Sequence, residues 1–102
     1  MSEYSVTGTL PIGIEIDGQR YKEFSIRPAI LRDSVEAVEE VGGDAGGVRL
    51  RYAVMARRLS FTGLDQEHVT LDLLMGLLDR DGVALEQASA DVEKKLDALS
   101  SS

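Results

Sequence analysis

Leu10-Pro11-Ile12-Gly13-Ile14-Glu15-Ile16-Asp17-Gly18-Gln19-Arg20-Tyr21-Lys22-Glu23-Phe24-Ser25-Ile26-Arg27 organises the chain around it. From Tyr4 to Ile16 the even positions are Tyr4, Val6, Gly8, Leu10, Ile12, Ile14 and Ile16, while the odd ones are mostly small or polar. That is the period-two pattern of a half-buried strand. Pro11 removes one ladder donor, which predicts an edge strand or a bulge. A second strand follows over residues 20–27, and its apolar members Phe24 and Ile26 are again even-numbered. For these to share a face with Leu10, Ile12 and Ile14, paired residue numbers must sum to an even value, so the loop must hold an odd number of residues. A two-residue primed turn at Asp17-Gly18 would present the wrong face. The expectation is therefore a three-residue connection with Gly18 in the left-handed position of a bulge.

Beyond Pro28 the periodicity changes. Leu31, Val35 and Val38 fall on one side, with Arg32, Asp33, Glu36, Glu39 and Glu40 elsewhere, which predicts a helix over about 30–41. Gly42-Gly43-Asp44-Ala45-Gly46-Gly47 breaks it, reading as a flexible spacer inside one domain. Val48, Tyr52, Met55 and Leu59 repeat at four, three and four, predicting a second helix over about 48–59 that stops at Phe61-Thr62-Gly63. Leu64 to Val69 reads as loop. Thr70 is a good N-cap for a third helix reaching about Asp79, with Asp72 in the first turn where the dipole favours it. A last helix over about 82–99 carries Leu85, Ala88, Val92, Leu96 and Leu99 on one face and Lys94-Lys95 toward the end that favours cations. The fold class expected is α+β, an N-terminal antiparallel β-hairpin followed by a bundle of about four α-helices. Residues 1–99 form one domain in this reading and 100–102 a disordered tail.

Composition narrows the function classes. The 102 residues contain no cysteine, which removes disulfides, thiolate nucleophiles and sulfur-ligated zinc or iron, and makes a reducing cytosol the simplest home. Met1-Ser2-Glu3-Tyr4 has no basic segment leading into an apolar one, and no run approaches the roughly 18–20 apolar residues that span a bilayer, so no membrane role is expected. Eighteen acidic against eleven basic residues give a net charge of −7, which repels phosphate backbones, so nucleic acid is not an expected partner.

Each constellation that suggests chemistry has a plainer reading. His68 is the only histidine and has no Cys or Gly-x-Ser-x-Gly elbow to serve, so it reads as an exposed loop residue; no catalytic residue is assigned and no enzyme is expected. Around Asp79-Arg80-Asp81-Gly82 a calcium loop would start at Leu77 and close on a Glu where Ala88 stands. Both ends fail, so no metal site is assigned, and the segment reads as a helix-to-helix turn with Asp81 capping the last helix. The glycine cluster lacks a preceding strand and a following Lys-Ser or Lys-Thr, so no phosphate-binding loop or other cofactor site is assigned. Arg49, Arg51, Arg57 and Arg58 form no single stripe and are expected to face Glu36, Glu39, Glu40 and solvent.

The most informative helix is Leu71-Asp72-Leu73-Leu74-Met75-Gly76-Leu77-Leu78. Leu71, Leu74, Met75 and Leu78 make one apolar face, and Leu73 and Leu77 widen it to most of the circumference. Either the helix is wholly buried under the hairpin and the last helix, or part of it forms an exposed groove for a partner. In the second case Leu73, Met75 and Leu77 are the partner-binding residues.

The hairpin Gly13-Ile14-Glu15-Ile16-Asp17-Gly18 with Tyr21-Lys22-Glu23-Phe24-Ser25-Ile26-Arg27-Pro28, then Arg32-Asp33 opening a helix, resembles the tail assembly chaperones of Mu-like contractile-tailed phages. Val69-Thr70-Leu71-Asp72-Leu73-Leu74-Met75-Gly76-Leu77, followed by Asp81-Gly82 and Leu85, is similar to that family too, and the likeness covers about residues 10 to 97. Ile30 departs from the family pattern, where a capping Ser or Thr is usual. The resemblance implies a protein of the bacterial host cytoplasm, absent from the mature virion, that keeps the long tape measure protein soluble until tail tube subunits polymerise around it. It also implies possible partners in the tail tube protein and a frameshift-extended form of the chain itself. Two other classes stand beside it: a structural tail component, and an unrelated acidic protein-binding adaptor.

Overall fold

Asp17 and Gly18 both adopt positive φ, 51° and 80°, so they close the hairpin as a two-residue primed turn. The computed structural model describes residues 3–42 and 47–101. In it β1 (Val6–Ile16) and β2 (Gln19–Ile26) pair antiparallel, and β3 (Leu59–Phe61) adds to the far side of β2, giving a sheet of order β1-β2-β3. The three-residue connection expected from parity is not formed. Ile16 faces Gln19 and Ile14 faces Tyr21, an odd sum, whereas Thr9 faces Glu23 and Val6 faces Ile26, an even one. Parity changes inside β1, where Leu10 to Gly13 bulge against Lys22 alone. Even sums hold only from Val6 to Thr9, and the change of parity is absorbed by the bulge instead of by the turn. Pro11 lies in that bulge, on the edge strand.

Among the described residues four helices follow, α1 (Leu31–Val41), α2 (Gly47–Arg58), α3 (Leu71–Met75) and α4 (Asp79–Ser100), with a 3₁₀ turn at Gln66–His68. The fold is therefore α+β, a hairpin-led antiparallel sheet and then helices. Residues 43–46, the middle of the predicted glycine spacer, lie outside the described residues, as does Ser102 of the predicted tail. Ser100 itself closes α4.

β3 was not expected. Leu59 and Phe61 are buried with exposed Ser60 between them, a period-two pattern too short to separate from the end of a helix. Phe61 packs across from Phe24 with ring centroids 6.2 Å apart, and Leu59 lies opposite Ile26. α4 runs along β1, while α1 and α3 pack on α2. Leu10, Ile26, Met55, Leu59, Leu85 and Val92 are the largest fully buried apolar side chains.

The third helix stops well short of residue 79. Thr70 caps it as expected, its Oγ1 accepting from the Leu73 N–H at 3.2 Å, but the chain leaves the helix at Gly76. Leu78, extended at φ −71° and ψ 151°, then caps α4, which starts three residues earlier than the apolar spacing suggests. Asp81 is thus inside the first turn, and its side chain does not cap the helix. Its carboxylate accepts the Ile12 N–H at 2.9 Å and the Gly13 N–H at 3.0 Å, the two amides that the β1 bulge takes out of the ladder. Gly13 sits at φ +94°, and a Cβ there would lie 2.6 Å from Lys22 Cγ and 2.8 Å from the Tyr21 carbonyl oxygen, so the bulge needs glycine.

Candidate functional site

Arg27, at the end of β2, sets the orientation of α1. Its guanidinium donates two hydrogen bonds to the Asp33 carboxylate, at 2.8 and 3.0 Å, and a third to the Arg57 carbonyl at 2.8 Å. Asp33 also accepts the Ile30 N–H at 2.8 Å, the returning half of a capping box, while its own N–H donates to the Ile30 carbonyl at 2.9 Å because Ile30 has no side-chain acceptor. These bonds, the Arg27 pair foremost, hold the Asp33 carboxyl below the usual carboxylate range against the opposing effect of its burial. With Asp33 and Ala37 turned inward, the apolar side of α1 turns outward: Leu31 is 82% exposed, Val35 52% and Val38 42%. The sequence pattern located that side correctly and gave no sign that it faces solvent.

The four arginines of α2 each have a different surrounding. Arg57 pairs with Glu40 at 2.8 Å and Glu36 at 3.5 Å, as the charge pattern suggested. Arg51 instead reaches Glu86 of α4 at 2.7 Å, and Arg49 is exposed. Arg58 is buried, donating from Nε to the Arg27 carbonyl and from Nη1 to Ser89 Oγ; its Nη2 has no hydrogen-bond partner among the described residues. Burial lowers the Arg58 pKa from its ordinary value. The hollow of about 610 Å³ between α1 and the 66–71 segment is lined by the Arg27–Asp33 and Arg57–Glu36–Glu40 pairs, so the charges there largely satisfy one another.

α3 and its junction with α4 form an apolar, partly exposed corner. Leu71 and Leu74 anchor it in the core, Leu73 and Leu77 are half-buried against the core cluster, and Met75 is 41% and Leu78 57% exposed. The helix is thus neither wholly covered nor packed under the hairpin; its main neighbour is α2. Met75, Leu77 and Leu78 border a notch of about 220 Å³, completed by Leu74, Val48 and Tyr52, whereas Leu73 lies outside it. Of the three residues proposed from sequence, two line the notch. Leu78 and Val48 were missed there; the signal for Leu78 was the pair Gly76 and Asp79, which marks a helix end and a new start within four residues. Tyr52 donates to Glu86 Oε2 at 3.2 Å beside it, and burial, then the Glu86 charge, raises the phenol pKa. A hollow this small suits one or two apolar side chains of a partner rather than a substrate.

Comparison with protein-family models, with curated proteins and with solved structures finds no match.

His68 is exposed in the 3₁₀ turn, as expected. With Asp65 and Glu67 it brings possible ligand atoms within 4.8 Å of one another, but all three are exposed and no buried group orients them. No helix among the described residues is long and apolar enough to cross a membrane.

Proposed function

We propose that this chain is a tail assembly chaperone of the Mu-like phage type, which holds the tape measure protein in soluble form until tube subunits polymerise around it. The observation that supports this reading best is the apolar corner at α3 and α4. There Val48, Met75 and Leu78 stand exposed around a notch floored by Leu74 and Leu77. Such a corner takes an apolar knob from a client chain, while the net charge of −7 keeps the complex dispersed. Met75 suits it to varied client segments, because an unbranched thioether repacks at little cost. The tail tube protein and a frameshift-extended form of the chain are the further partners this reading names, and the host cytoplasm is its place of action.

Co-expression with the tape measure protein tests the proposal. The client is expected to stay in the supernatant and to co-purify with the chain. Met75→Asp with Leu78→Asp, both at exposed positions, is expected to weaken that capture by roughly tenfold or more, as loss of a hot spot does, with unchanged far-UV circular dichroism. Failure of the unaltered pair to co-purify, or recovery of this chain from purified virions, would overturn the reading; the second result would make it a structural tail component.

A further inference from the structure

We infer that two copies of this chain pair antiparallel through the outward face of α1. Leu31, Val35 and Val38 recur at four and three residues, the spacing of a coiled-coil seam, and all three are exposed. Helices in water turn such a stripe inward unless something covers it. Here the Arg27–Asp33 tie holds it outward.

The charges beside the stripe identify the occupant. The positions immediately after Leu31 and Val38 are Arg32 and Glu39, which sit on the same flank of the seam. Both are exposed, and neither makes an ion pair among the described residues, whereas Glu36 and Glu40, further round the same side of the helix and away from the stripe, are engaged by Arg57. In an antiparallel pair this flank meets its own copy. Val35 then packs on Val38 of the second copy, Leu31 lies over Gly42 of the second copy, and Arg32 faces Glu39 of the second copy. The two-fold axis repeats every contact, as an isologous interface requires. Gly42 favours this register because a Cβ at its position, with φ +91°, would meet nothing within 4 Å among the described residues, leaving room for the opposing leucine. A wholly acidic or wholly basic client helix would find one favourable and one unfavourable charge on this flank, whereas the face is complementary to itself.

An eleven-residue helix is about 16 Å long. Its face buries less than the roughly 800 Å² per partner of a standard interface, so the pair should form at micromolar protein. The face shares no residue with the α3–α4 corner, and the inference stands whether or not that corner binds a tape measure protein.

Sedimentation equilibrium of the full chain from about 10 to about 300 μM covers the range in which a small interface associates. A monomer–dimer equilibrium is expected. Arg32→Glu alone and Glu39→Arg alone each set like charges against one another twice, and each is expected to weaken self-association by roughly tenfold. Mixed in equal amounts, the two variants restore opposite charges at both contacts, so a heterodimer of near wild-type strength should return. Circular dichroism of each variant checks that the fold persists. A wild type that stays monomeric across the range, or a mixture no more associated than its components, overturns the inference.

Discussion

Asp81 has no exposed surface, and it serves amides of Ile12 and Gly13 that lie 69 and 68 residues earlier in the chain. An ionised carboxylate offers only acceptors, which is what two adjacent N–H groups require. Asp81→Asn keeps the shape but points an amide donor at a donor, and is expected to cost about 2–3 kcal/mol, read as a lower denaturant midpoint. Asp79→Asn, exposed in the same turn, should shift it little. Asp33 carries a different signature. Its folded pKa is depressed, so its contribution is complete above the ordinary unfolded value of about 3.9 and is lost as pH falls through the lower folded value. Acid titration of stability should therefore show a slope below about pH 4 that is shallower in Asp33→Asn, a variant already weakened at neutral pH. Neither tie was legible beforehand: the residues stood in view, but a buried carboxylate and a surface one look alike until their partners are placed.

At the scale of elements, periodicity located the hairpin, α1, α2 and α4 within a few residues, because each spans enough turns or alternations for the pattern to repeat. It failed where the element is short or where a side-chain tie overrides the apolar side. β3 has three residues, α3 has five, and Gly76 ends α3 before the leucines that continue its pattern. In α1 the apolar side is real but faces outward, since Asp33 is drawn to Arg27. That orientation predicts an inverted sensitivity. Val35→Ser in the isolated protein at low concentration should change unfolding free energy by less than about 0.5 kcal/mol, while Ala37→Leu, forced into a completely buried site, should cost about 1–3 kcal/mol. Thermal unfolding of the two variants at one protein concentration checks the contrast. The candidate corner was half legible by the same logic: Met75 and Leu77 stood in the predicted site, whereas Leu78 opens α4 instead of continuing α3, and Val48 comes from α2, to which the spacing within α3 could not point.

For the whole molecule, the first strand and the last helix are packed along each other and the remaining elements fill the space beside them. Local contacts alone therefore do not complete the core. A version ending at Leu78 lacks α4 and with it Leu85 and Val92, both fully buried, and is expected to show no cooperative unfolding transition by heat or denaturant. Because long-range closure has to precede most of its reward, folding should be slower than for a helical bundle of equal size.

The tie between Gly13 and Asp81 also has a bearing on synthesis. While a ribosome is still making the chain, the kinked hairpin emerges with two backbone donors that only water can answer, because their native acceptor is translated 69 and 68 residues later. Until Asp81 has been made, the bulge is expected to lack the partner that fixes its shape.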